Sequence, residues 1–157
     1  MWNKQRASRL AWVVVLALTA GCSGGRPPAS LGVTAGRLAP CPGSPNCVSS
    51  EAAVAEQRVA PLRYDGNAAR AWLLDVLNGM DRARIVRSTD DYLHGQFRSA
   101  VFGFSDDVEF YFHPPGTIQV RSAARTGYYD FGVNRERIET FSARFATTSN
   151  PSWMTAR

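Results

Sequence analysis

The sequence predicts an α+β domain: a two-layer sandwich in which an antiparallel sheet of about four to five strands carries two helices on one face, in the order β-α-β4-α. Three observations predict it. Ala69, Trp72, Leu73, Val76, Leu77 and Met80 fall at i, i+3, i+4, i+7, i+8 and i+11, the spacing of one helical stripe. Between Arg84 and Ser122 the apolar residues instead alternate with polar ones, the period of a strand. Ile138, Phe141, Ser142 and Phe145 then return to i, i+3, i+4 and i+7.

Ahead of these elements the chain reads as an export signal. Lys4, Arg6 and Arg9 precede an apolar run from Leu10 to Leu18, followed by small residues. A spanning helix needs about 20 apolar residues, and this run is too short. Thr19-Ala20-Gly21-Cys22 resembles the bacterial lipobox, with Thr19 where the lipobox usually has Leu. That resemblance implies a signal peptide over 1–21 and a mature chain that begins with Cys22, acylated on its sulfur and its amine, palmitate being the expected kind of chain. Several acyl chains satisfy the condition for stable membrane attachment. The alternative is a thiol just beyond an ordinary secretory cleavage site. Ser23 stands where an Asp favours inner-membrane retention in Gram-negative lipoproteins, so the expected address is the outer membrane, facing the periplasm.

Loss of Lys4, Arg6 and Arg9 with the signal lowers the formal charge from +5 to +2, and every remaining cation is Arg. The arginines are scattered among acids and form no tract, which excludes a nucleic-acid partner. Residues 22–37 are rich in Gly, Pro, Ser and Ala and read as a tether. A single domain over 38–147 follows, with a frayed tail over 148–157. With Cys22 assigned to lipid, Cys41 and Cys47 remain as a pair in a compartment where disulfides persist. Pro42-Gly43-Ser44-Pro45-Asn46 between them is a turn-forming loop, so a Cys41–Cys47 disulfide is expected. The rivals are a two-thiolate metal site, which lacks further ligands nearby, and a redox pair, which normally has a CxxC spacing.

Within the domain, Arg58 to Tyr64 is interrupted by Pro61 and is at best an edge strand. Asp65 is the expected N-cap of the first helix and Asn78-Gly79 its end. Trp72, in the stripe, is expected in the core. Arg84–Ser88 and Tyr92–Ala100 are strands joined around Asp90-Asp91. In the second, Tyr92, His94, Gln96 and Arg98 share a face expected to be wet. Asp107–His113 and Thr117–Ser122 flank the turn Pro114-Pro115-Gly116, whose Gly can take a positive φ. That loop implies a register with Phe110 opposite Val120, Glu109 opposite Arg121 and Val108 opposite Ser122. A Glu109–Arg121 pair on a polar face is expected to contribute at most ~1 kcal/mol. Asn134 is the expected cap of the last helix.

Three motifs occur in order: Pro40-Cys41-Pro42 with Pro45-Asn46-Cys47-Val48-Ser49-Ser50; Asp106-Asp107-Val108-Glu109-Phe110; and Arg121-Ser122-Ala123-Ala124-Arg125-Thr126-Gly127-Tyr128 with Asp130-Phe131-Gly132-Val133-Asn134-Arg135. Together they resemble the signature of the bacterial and plastid family of domain of unknown function 1499, over about Leu38 to Phe145. The resemblance implies no activity. Ala124 stands where that family usually has Ser, which excludes a hydroxyl nucleophile there.

Two chemistries compete for the signature. Arg125, Arg137 and the first N–H groups of the last helix, in the loop Arg121 to Arg137, are candidates to hold an anion such as a phosphate or carboxylate. The opposing expectation is a buried polar clasp, in which Asp107 and Asp130 bond Arg121 and Arg125, with Glu109, Ser122, Asn134 and Arg137 in the same cluster. A hydrolase-like enzyme would instead use Asp106, Asp107 and Glu109 as acid, base or hard-metal ligands, assisted by His94 or His113. No nucleophile elbow, phosphate loop or HExxH is present, and no cofactor or metal is implied. The functional expectation is therefore a lipid-anchored envelope protein with a binding or structural role. Its expected partners are the membrane, an envelope protein or an anionic small molecule.

Overall fold

The computed structural model describes residues 27–99 and 103–149. Its centre is an antiparallel meander of β5 (Ala83–Ser88), β6 (Tyr92–Arg98), β7 (Ser105–Tyr111) and β8 (Thr117–Ala124). Two short strands complete the far edge of β8. β3 (Cys47–Ser49) pairs with its Arg121–Ala123 half, and β4 (Leu62–Arg63) with Thr117 and Ile118. The sheet thus has six strands, in the order β3-β8-β7-β6-β5 with β4 also on β8, more than the expected four to five. The extra one, β3, lies in the cysteine loop, where turn formers mask its three-residue length. Pro61 confines β4 to two residues.

The expected β7–β8 register is observed, with Glu109 opposite Arg121 and Phe110 opposite Val120. In the connecting turn the His113–Pro114 bond is cis and Gly116 has φ 79°. One sheet face, including Leu93, Phe97, Val108, Phe110, Ile118 and Val120, packs on helices α1 (Ala69–Asn78) and α2 (Val133–Ser149). Phe141 stands 4.9 Å from Phe110 and 6.2 Å from Phe97, centroid to centroid. Burying a side chain of this kind contributes roughly 1.5–3 kcal/mol. Helix α1 approaches closest at Gly95, where an added Cβ would meet the Leu77 methyls at 3.1 and 3.2 Å. Trp72 is only half-buried and rests edge-on against Phe145. Among the described residues, no helix is long and apolar enough to cross a membrane.

Both helix starts differ from expectation. Gly66 turns the chain at φ 77°, which strands Asp65 outside α1; Ala68 takes the cap position without a side-chain bond. In α2, Asn134 already lies inside the first turn. The capping carboxylate is that of Asp130, which accepts from the backbone N–H groups of Gly132 (3.1 Å) and Asn134 (2.9 Å). Helix α2 also continues through Ser149, two residues past the expected end of the domain.

The larger correction concerns the other face of the sheet. Tyr92, His94 and Gln96 are buried, not wet. A hairpin that begins in the segment assigned to the tether lies against this face. Val33–Thr34 (β1) and Arg37–Leu38 (β2) form a hairpin whose two turn residues, Ala35 and Gly36, have φ 52° and 74°. That is the geometry of a tight two-residue turn matched to strand twist. Leu38 packs with Tyr92 and Tyr111, and Gly32 bonds to the middle of β7. Glu51 accepts from Arg37 Nε and Leu38 N, tying the hairpin to the segment after β3.

Candidate functional site

Strand alternation divides the three signature carboxylates of β7. Asp107 and Glu109 point to one face, where Glu109 meets the N-terminal segment at Gly32, whereas Asp106 points toward α2. They do not converge.

Glu109 is fully buried, at 0% exposure. Its Oε1 accepts from Gly32 N at 2.7 Å and from the Tyr92 hydroxyl at 2.8 Å, and its Oε2 from Arg121 Nη1 at 3.0 Å. Burial first, then the charge of Glu109 and its hydrogen bond, push the Tyr92 hydroxyl far above its ordinary range, so it remains a donor. Arg121 Nε is buried without a hydrogen-bond partner among the described residues.

One pleat along β7, Asp107 receives a two-point bond from Arg125: Nε to Oδ2 at 2.8 Å and Nη2 to Oδ1 at 2.7 Å. Planar, two-point pairing of this kind is the strong form of the arginine–carboxylate bond. His94, 4% exposed, places Nε2 2.7 Å from Oδ1. Burial alone would raise the Asp107 carboxyl, but hydrogen bonds from Arg125 and His94 outweigh it and hold the group below its ordinary range. The same hydrogen bonding raises Arg125. Gln96 extends the layer, donating to Ser105 Oγ and accepting from Arg84.

Toward the helices, Asp106 Oδ2 accepts from Arg137 Nη2 at 2.6 Å. Burial raises the Asp106 carboxyl, which Arg137 offsets only in part. Arg137 Nη1 also donates to Asn134 Oδ1 (2.7 Å) and Ser122 Oγ (3.2 Å), while its guanidinium lies over Phe97 at 4.7 Å. Ser122 and Asn134 are fully buried, and Ser122 Oγ donates to Asn134 Oδ1. Asn134 Nδ2 donates to Asp130 and to the carbonyl of Asn46, whose own amide donates to Gly127 O. Asn46 sits in the loop closed by the Cys41–Cys47 disulfide. The cluster therefore pins three segments together: the cysteine loop, the β8–α2 connection and the first turn of α2.

The residues expected in a clasp are in contact, with pairings that differ from those expected. Arg125 bonds Asp107, but Arg121 pairs with Glu109, and Asp130 caps α2. The expected anion cradle is filled internally: Arg125 and Arg137 hold aspartates, and Asp130 occupies the N–H groups at the start of α2. His94 is buried at Asp107, whereas His113 is an exposed turn residue stacked on Tyr111. Asp106 borders an open cleft of about 590 Å³ with Arg82, Arg98, Glu136 and Arg137. Among the described residues, no group of His, Cys, Asp and Glu side chains is placed to hold a metal ion. Gly32, Asn46, Tyr92 and Phe97 were missed as site members. For Gly32 and Tyr92 only long-range geometry identifies them, Asn46 stands in the cysteine motif without an assigned role, and Phe97 reads simply as core. Cys22 lies outside the described residues.

A family model described as "Protein of unknown function (DUF1499)" matches residues 37–145. No curated protein matches the chain.

Proposed function

The chain belongs to the DUF1499 family, and on that premise we propose that it is a lipid-anchored envelope protein whose domain serves a binding or structural role, its signature residues forming an architectural clasp. One observation carries the second half of this reading: Asp106, Asp107 and Glu109 each accept from a guanidinium, on two opposite faces of β7. General acid–base work needs a carboxylate within reach of substrate. Here an incoming group would first have to displace Arg121, Arg125 or Arg137. An anionic ligand at the Arg121–Arg137 loop would have to displace an aspartate in the same way.

The anchor reading rests on Cys22 and the segment before it. Placement in the outer membrane, facing the periplasm, rests on Ser23. Intact mass measurement on protein extracted from envelope membranes tests the anchor. The expected mass is that of a chain beginning at Cys22 with a diacylglyceryl group and an amide-linked acyl chain; a chain beginning there without lipid overturns it. Native mass spectrometry of the same material, beside an Arg125→Ala variant, tests the clasp. Under the proposal no small anion depends on Arg125, and a co-purifying anion lost in the variant restores the ligand-binding reading.

A further inference from the structure

The end of the sheet where β6 leaves, β7 enters and β8 leaves presents an exposed aromatic surface. Tyr128 (72% exposed), Tyr129 (59%), Phe131 (87%) and Val133 stand on the β8–α2 connection, and Phe104 (53%) on the segment entering β7. The Arg125 N–H donates to Ser105 O at 3.0 Å, which ties the two segments together. Exposed apolar side chains gathered at one end of a fold, as on these two tied segments, mark an interaction site more than scattered single residues do.

The display is held by the fold. Asp130 turns its carboxylate inward onto Gly132, Asn134 and the start of α2, which sends its neighbours Tyr129 and Phe131 outward, their rings 5.1 Å apart. Phe131 has φ +58°, a left-handed conformation unusual for a bulky side chain. The capping bonds of Asp130 therefore hold the most exposed aromatic of the described residues in an unfavourable backbone state.

We propose that this end of the domain seats on a phospholipid bilayer, with Phe131 and the two tyrosines entering the headgroup region. Rings that are apolar in body and polar at one edge are enriched at that depth. The proposal rests on the anchor reading, which supplies the membrane. Five steps of chain run from Cys22 to Pro27, a reach of up to about 17 Å, before the turn that Leu31 N closes onto Pro28 O ahead of Gly32. Gly32 is fixed to Glu109, four residues along β7 from the aromatic end, or about 13 Å. The tether is long enough for that end to meet the anchoring bilayer. Two exposed guanidiniums at the same end, Arg82 and Arg98, suit lipid phosphates, although Asp81 and Glu136 line the same cleft. The aromatic rings, more than net charge, are thus the expected source of binding.

The test uses lipidated protein extracted from membranes and reconstituted into phospholipid vesicles with brominated acyl chains. An indole is introduced by Phe131→Trp or, at the opposite end of the sheet, by Asp90→Trp, and the parent emission is subtracted. The expected result is a blue shift and loss of the added emission for Phe131→Trp, with no change for Asp90→Trp. Unquenched emission from both, or equal quenching of both, overturns the proposal. So does a blue shift without bromine quenching, which means that protein covers the patch: a second copy if the shift fades on dilution, the chain's own C-terminal segment if it persists. Intact mass on the same preparation reports the anchor separately. If lipid is absent yet added vesicles quench Phe131→Trp, the anchor reading fails and the patch stands.

Discussion

Replacing Glu109 by Gln changes one atom and almost no volume, so its effect isolates the charge. The carboxylate accepts three hydrogen bonds, from Gly32 N, the Tyr92 hydroxyl and Arg121 Nη1, and is wholly buried. An amide in its place presents an N–H to at least one of those donors. It also leaves the Arg121 guanidinium, whose side chain is 6% exposed and whose Nε already lacks a partner, without its counter-charge. Removing one partner of a buried ion pair costs about 3–5 kcal/mol, a large share of the ~5–15 kcal/mol that holds a domain together. For a domain of this size that corresponds to a fall in Tm of roughly 12–20 °C. Urea unfolding followed by circular dichroism measures it as a lower midpoint at unchanged slope. Replacing both partners, Glu109→Leu with Arg121→Met, is expected to recover most of the loss, since an apolar pair of similar volume carries no desolvation cost. A Glu109→Gln protein within about 1 kcal/mol of the parent, or a double variant as unstable as the sum of its singles, refutes the reasoning.

The acid limb of stability follows from the two aspartates, which have opposite signs. Asp107 is held below its ordinary 3.8, so its contribution is complete above about pH 4 and is lost as pH falls through the folded value; Asp107→Asn is expected to flatten the loss of Tm below pH 4. Asp106 is raised above 3.8, so its ionisation weakens the fold as pH rises, and Asp106→Asn is expected to leave that acid limb unflattened. Reduction of Cys41–Cys47 by dithiothreitol removes a short cross-link and should cost about 2 kcal/mol, read as a lower urea midpoint that does not occur in a Cys41→Ser, Cys47→Ser variant. Gly95→Val drives methyls into Leu77 and should cost about 1–3 kcal/mol, of which Leu77→Ala in the same chain returns part. No loss on Gly95→Val would mean that α1 does not approach β6 as described.

Local rules made the centre of the fold legible. Pro114-Pro115-Gly116 fixed the β7–β8 register, and with it the meeting of Glu109 and Arg121. What alternation reports is polarity, however, and not exposure. Tyr92, His94 and Gln96 read as a wet face because they are polar, yet they are buried. The hairpin whose Leu38 packs on Tyr92 resembles a linker in part because its turn needs a residue such as Gly36. The bond from Gly32 to Glu109 spans 77 residues, and no window of sequence contains both. The estimated worth of the Glu109–Arg121 pair changes with its setting, from at most ~1 kcal/mol on an exposed face to several when buried. Asn134 and Asp130 are both good caps by composition. Only the buried Ser122 and the Asn46 carbonyl, reached through the tertiary fold, draw the Asn134 side chain inward and leave the cap to Asp130.

The central claim is that the signature carboxylates are enclosed parts of the architecture, and carboxyl footprinting of the folded protein measures that enclosure residue by residue. With a water-soluble carbodiimide and an amine nucleophile at neutral pH, Glu56, Asp65 and Asp90, all exposed, should label readily. Asp107 and Glu109 should remain unmodified until urea unfolds the chain. Labelling of either in the folded protein at a rate comparable to Glu56 would contradict the clasp and return these groups to the candidates for chemistry.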